Sequence, residues 1–160
     1  MLCYNVRVDD AREKRLKDFF VKCFYTILST AEKAIEAFSE GELSLKEIRL
    51  IDAVYKSAGA NNFSNVAKAL GITLGTLTTS FSRLEKKGYL YKVQDDGDKR
   101  IFYIEPTPHG AEMYRQYKVF HEKMFAGIVS TVSETQLDNM IEALKSLDKF
   151  FVSLKDEYSK

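Results

Sequence analysis

Apolar residues recur three and four positions apart along most of this chain, and the pattern gives way once, between residues 89 and 105, to two β-branched and aromatic runs. Leu16, Phe20, Phe24, Ile27, Ala31, Ile35 and Phe38 describe a long amphipathic first helix, capped around Asp10-Ala11-Arg12-Glu13 and ending near Gly41. Ser44-Leu45-Lys46-Glu47 is a capping box, with Leu43 and Ile48 placed as its hydrophobic staple, so a second helix runs from Ser44 to about Ala58. Gly59-Ala60-Asn61-Asn62 reads as a turn. Asn62 caps a short third helix that reaches Leu70 and is closed by Gly71.

Thr73 caps a fourth helix, Leu74 to Lys87, closed by Gly88. At 100° per residue, Leu77, Ser80, Phe81 and Leu84 share one face. Gly75, Thr79, Ser82 and Lys86 share the opposite face, which is small, polar and basic. Tyr89 to Gln94 and Arg100 to Glu105 then form a hairpin whose tip is Asp95-Asp96-Gly97-Asp98-Lys99. Thr107-Pro108 opens a fifth helix that runs to roughly Ser130. A second capping box, Ser133 to Gln136 with Val132 and Leu137 as staple, opens a sixth. Along it Leu137, Met140, Leu144, Leu147, Phe151, Leu154 and Tyr158 form a heptad seam.

The fold class that follows is mainly α with a small β wing: a winged helix-turn-helix over residues 44–106, flanked by long terminal helices over 1–43 and 107–160, in one compact domain. A length of 160 residues suits a single core. Two terminal helices carry more apolar stripe than so small a centre covers, which predicts a homodimer. There is no apolar run of signal-peptide or membrane-spanning length, and Cys3 and Cys23 make no disulfide framework, so a cytoplasmic protein is expected, with no membrane partner.

Total charge is uninformative, 24 basic against 23 acidic residues, but its distribution is not. Residues 1–40 and 41–62 are balanced and 104–160 are slightly acidic, while 63–103 hold seven cations against four anions. Those cations are Lys68, Arg83, Lys86, Lys87, Lys92, Lys99 and Arg100, and most sit on the fourth helix and the wing, whose shapes suit DNA grooves. An enzyme is not indicated. His109 and His121 lack catalytic partners at a recognisable spacing, and no phosphate-cradling glycine loop or H-E-x-x-H occurs. His109 with Glu112 makes too small a ligand set for a metal, so neither metal nor cofactor is expected, and His109 reads as a solvated side chain. Cys23 reads as a buried, inert thiol among aromatic residues, with peroxide sensing as the alternative.

Gly71-Ile72-Thr73-Leu74-Gly75-Thr76-Leu77-Thr78, with Arg83-Leu84-Glu85-Lys86-Lys87-Gly88-Tyr89-Leu90 and the wing-tip Asp98-Lys99-Arg100, resembles the MarR family of winged-helix regulators. The helix order extends the resemblance over nearly the whole chain. Pro106-Thr107-Pro108-His109-Gly110 departs from that family's usual Leu-Thr-x-Lys-Gly, which bears on the packing just after the wing. Gly75 to Thr79, Glu85 to Tyr89 and Phe120-His121-Glu122-Lys123-Met124 are similar to the family's fatty-acid-biosynthesis repressors. That similarity implies a repressor of lipid-synthesis genes whose co-repressor is an acyl chain on acyl carrier protein.

The expected function is a homodimeric, effector-responsive repressor of a palindromic DNA operator. Thr76, Thr78, Thr79, Ser82, Arg83 and Lys86 would face the major groove. Lys99 and Arg100 would enter the minor groove, with Asp98 bracing the arginine. Phe24, Ile51, Tyr55, Met113 and Tyr117 are candidates for an apolar effector pocket, ordinary core being the competing reading of each. A winged helix used only for protein contacts is the rival class. It calls for an apolar outward face on the fourth helix, against which Thr76, Thr79, Ser82, Arg83 and Lys86 speak.

Overall fold

The computed structural model describes residues 9–57 and 59–158, so the expectations resting on Cys3 and the N-terminal stretch lie outside the described residues. Helix α1 (Asp10–Phe38) is capped by Asp9, slightly ahead of the predicted position. Helix α2 (Leu45–Lys56) starts on the predicted box. The Glu47 N–H donates to Ser44 Oγ at 3.3 Å, while Glu47 Oε2 accepts from the Ser44 N–H at 2.9 Å and its hydroxyl at 2.8 Å. Helix α3 (Phe63–Leu70) is capped by Asn62 Oδ1, which accepts from Asn65 N–H at 2.9 Å. It stops at Gly71, whose φ of 64° is the left-handed value that glycine adopts without a Cβ penalty. Helix α4 (Leu74–Lys86) follows on the Thr73 cap.

Strands β1 (Leu90–Gln94) and β2 (Phe102–Pro106) pair antiparallel, with Leu90 opposite Pro106 and Gln94 opposite Phe102. The second strand therefore begins two residues later than the run of residue types suggested. The tip claims Arg100 and Ile101: the Arg100 N–H donates to Asp98 Oδ1 at 3.0 Å and the Ile101 N–H to the Asp98 carbonyl at 2.9 Å. The predicted 59–62 turn also has a long-range task. Asn61 is buried; its backbone carbonyl accepts from the Ile104 N–H at 3.0 Å and its Nδ2 donates to the Ile104 carbonyl at 2.6 Å. With the Asn62–Tyr103 bridge, this loop covers the outer edge of β2 and fixes the wing to the start of α3.

Helix α5 (Pro108–Ser130) starts on Thr107, whose Oγ1 accepts from the Gly110 N–H at 3.0 Å, and helix α6 (Glu134–Tyr158) starts on the second predicted capping box. The chain divides into two compact units, residues 1–117 and 118–160, so α1 shares a unit with the winged helix. The core of the first unit gathers Ile35 of α1 with Ile48 and Ile51 of α2, Leu77 and Leu84 of α4, and Ile104 of β2. Burying each such side chain contributes about 1.5–3 kcal/mol. In the second unit no described residue is buried. No helix among the described residues is long and apolar enough to cross a membrane.

Candidate nucleic-acid interface

Leu77, Phe81 and Leu84 anchor α4 in the core, so its other face is turned to solvent by the helical period. Thr76, Thr78, Thr79, Arg83 and Lys86 are exposed there and Ser82 is half-buried. The threonine hydroxyls are already engaged. Thr78 Oγ1 donates to the Leu74 carbonyl at 2.9 Å, Thr79 Oγ1 donates to the Gly75 carbonyl at 3.1 Å, and Thr73 and Thr76 share a hydrogen bond at 2.8 Å. Thr78 and Thr79 therefore offer outward their methyls and lone pairs. The charged donors on this face are those of Arg83 and Lys86, which have no ion-pair partner among the described residues.

Two concavities flank this helix. One, of about 510 Å³, lies between α3, α4 and the wing, lined by Asn62, Ser64, Asn65, Leu74, Thr78, Lys92 and Arg100 among others. The other, of about 240 Å³, is lined by Lys46 and Arg49 of α2, Leu70 and Ile72, and Thr76 and Ser80 of α4. Lys46 and Arg49 were missed by counting charge along the chain, where residues 41–62 balance. In space their acidic neighbours are occupied elsewhere: Glu47 pairs with Lys87 at 2.7 Å and Asp52 with Lys56 at 2.7 Å.

Lys87 moves in the opposite direction. It was counted in the basic stretch, but its Nζ donates to the Glu42 carbonyl and to Glu47 Oε1, both at 2.7 Å, tying the end of α4 to the start of α2. Burial works to raise the Glu47 pKa and is outweighed by Lys87 and the two Ser44 donors, so the carboxyl titrates below its usual range. Beside it the Tyr89 hydroxyl donates to Glu42 Oε2 at 2.6 Å, and burial together with that carboxylate pushes the phenol upward.

At the wing tip the expected brace is present. Asp98 Oδ1 accepts from Arg100 Nε at 3.0 Å and Oδ2 from Nη2 at 2.9 Å, holding the guanidinium in a two-point grip while leaving it exposed. The side-chain and backbone donors of Arg100 lower the Asp98 pKa, and Asp98 in turn raises that of Arg100. Asp95 Oδ1 caps the tip by accepting from Gly97 and Asp98 N–H at 2.9 and 2.7 Å. Lys99 reaches Asp96 at 3.4 Å, and Lys92 lies over the Phe102 ring, 5.4 Å from its centroid. Helix α4, the wing and α2 thus present one cationic surface with few uncompensated anions.

The proposed effector residues are distributed differently. Ile51, Met113 and Tyr117 are buried side chains, Tyr55 is half-buried and stacks on Tyr114 at 3.9 Å, and Phe24 is exposed on α1. Cys23 corrects an expectation: it is exposed, as are its neighbours Lys22 and Phe24 on α1. His109 is exposed and stacks on Tyr89 at 4.4 Å.

A model of the MarR family matches residues 43–102, the span from the end of the first interhelical turn to the wing. Over 134 residues the chain is 25% identical to the Bacillus subtilis HTH-type transcriptional regulator YkoM, covering 84% of each chain. Its fold superposes on Streptococcus pneumoniae FabT in complex with DNA with a TM-score of 0.79 and 30% identity, covering 89% of this chain and 99% of that one. The Staphylococcus aureus MepR–DNA complex shares the fold at a TM-score of 0.70 and 21% identity, covering 83% and 96%.

Proposed function

The chain belongs to the MarR family, and is thereby a winged-helix, DNA-binding transcriptional regulator rather than an enzyme; on that premise we propose that it works as a homodimeric repressor of a roughly palindromic operator. The observation that carries the reading is the solvent face of α4, where Arg83 and Lys86 stand without ion-pair partners among the described residues, between two cation-bearing concavities. This face enters the major groove, with Arg83 bonding a guanine edge, while the braced Arg100 reaches the adjacent minor groove. Two copies related by a two-fold axis meet successive major grooves about 34 Å apart.

Uncovered apolar surface supports the second copy. Leu16, Phe19, Phe20 and Phe24 on α1 and Leu144, Leu147, Phe151 and Val152 on α6 are all exposed in the single chain.

The resemblance of Gly75 to Thr79, Glu85 to Tyr89 and Phe120 to Met124 to the family's fatty-acid-biosynthesis repressors is the ground for reading an acylated carrier protein as co-repressor and lipid-synthesis genes as targets, with the acyl chain received among Phe24, Ile51, Tyr55, Met113 and Tyr117. Ile51, Met113 and Tyr117 are buried in the free chain, so entry must displace packed side chains; the acylated partner stabilises the DNA-competent state only by binding it better than the free one. Titrating operator complexes with acylated and unacylated carrier tests this; equal, unchanged affinity refutes the effector. For the main reading, Arg83→Ala should weaken binding to operator more than to random DNA, by about 1–3 kcal/mol per half-site. Equal losses on both would reassign Arg83 to phosphate contact.

A further inference from the structure

A glycine inside a helix costs stability relative to alanine and is ordinarily retained for one of two reasons: a left-handed φ, or a neighbour that leaves no room for a Cβ. Gly75, in the first turn of α4, has neither. Its φ is not positive, and a Cβ built on it meets no atom within 4 Å. The contrast with Gly110 is instructive, since a Cβ there collides with the Tyr89 carbonyl. Among the described residues nothing accounts for the absent side chain at residue 75; Gly127 of α5 shares that lack of a neighbour, and what sets Gly75 apart is its place on the solvent face of α4.

Gly75 sits on the outward face of α4, one turn from Thr79. The two are joined: Thr79 Oγ1 donates to the Gly75 carbonyl at 3.1 Å, and Thr78 likewise donates to Leu74. The notch left by the missing Cβ is therefore bordered by a threonine whose hydroxyl proton is spent inside the helix, leaving a methyl and lone pairs for an external group. The acceptors of purine edges find no donor on the Thr79 hydroxyl. The one apolar projection in the major groove is the thymine 5-methyl.

We propose that Gly75 and Thr79 form a notch that admits the 5-methyl group of one thymine in each operator half-site, making Gly75 a specificity-determining position. This rests on the reading of the chain as a sequence-specific DNA-binding protein. It adds a base preference and assigns that preference to a side chain that is absent.

The test uses the full chain and a duplex carrying the consensus it selects from random DNA. Each thymine is replaced in turn by uracil, which keeps the pairing and removes the methyl. Each such replacement should weaken binding about fourfold, the worth of one buried methyl-sized group. Gly75→Ala should weaken binding to the thymine duplex about tenfold, as overfilling a close contact does. It should also melt no lower than wild type and lose its sensitivity to that uracil. Wild-type binding indifferent to every uracil, or Gly75→Ala binding as tightly as wild type, overturns the proposal. So does a lowered melting temperature, which would give the glycine a reason inside the chain. A weakened Gly75→Ala chain still sensitive to the same uracil assigns the close approach to the phosphate backbone and also overturns it. Failure to select any consensus removes the sequence-specific reading itself, and the notch with it.

Discussion

Gly110→Ala should destabilise the protein by about 2 kcal/mol, although alanine is the better helix former. Gly110 lies in the first turn of α5, directly over the backbone of Tyr89, and a Cβ there falls inside contact distance of the Tyr89 carbonyl oxygen and next to its carbon. Backbone cannot rotate away as a side chain can, so α5 must lift from the start of β1. Lifting it stretches two bonds donated by Thr107: its N–H to the Tyr89 carbonyl at 3.0 Å, and its single hydroxyl proton, shared between the Gly88 and Tyr89 carbonyls at 2.6 and 3.2 Å. At about 1 kcal/mol for each bond and about 1 kcal/mol for the overfilled contact, less about 1 kcal/mol gained by replacing glycine in a helix, the net loss is about 2 kcal/mol. For a chain of this size that corresponds to a fall in Tm of about 4–8 °C. Thermal unfolding followed by circular dichroism at one fixed chain concentration measures it, since a dimer's Tm depends on concentration. Gly75→Ala is the matched comparison, the same substitution in a helix with nothing within 4 Å. A Gly110→Ala chain that melts with wild type would show that the α5–β1 contact gives way without cost, refuting the argument from close approach.

Lys87→Met should narrow the acid range of stability. Glu47 has its pKa lowered in the folded chain from an ordinary 4.5, so its contribution is present above that value and is lost as pH falls through the lower folded one. Without Lys87 the folded pKa rises, and the gap between wild type and variant in urea unfolding should be widest near neutral pH and close as the carboxyl protonates. Arg100→Ala should reduce the slope of log affinity against log salt by about one per half-site. Asp98→Ala keeps that charge, so it should weaken binding through loss of the two-point grip while leaving the slope near wild type; equal slopes for all three chains would remove Arg100 from the phosphate contacts. Leu144→Asp with Leu147→Asp places charges in the α6 seam and should give monomers or unfolded chain in sedimentation. An intact, folded dimer would remove both positions from the interface.

What the sequence alone determined is whatever is settled within one or two helical turns. The Ser44–Glu47 and Ser133–Gln136 boxes, the Asn62 and Thr73 caps, the Gly71 stop and the Asp98–Arg100 brace each join residues two or three positions apart, and each appears as the residue types imply. The inward and outward faces of α4 follow from the same local period. Tertiary structure decided what depends on partners far along the chain. Lys87 is a tie rather than a DNA-facing cation because Glu42 and Glu47, forty and more positions away, arrive beside it. Lys46 and Arg49 join the cationic surface because their acidic neighbours are paired elsewhere. Asn61 pins the wing across more than forty residues, and Gly110 earns its place only against the Tyr89 carbonyl. Periodicity likewise put Phe24 and Ile51 in one apolar class, yet one is exposed and the other closed. A hydrophobic stripe records that a face is to be covered, whereas which surface covers it depends on packing between distant segments, and for α1 and α6 on the second chain of the proposed dimer.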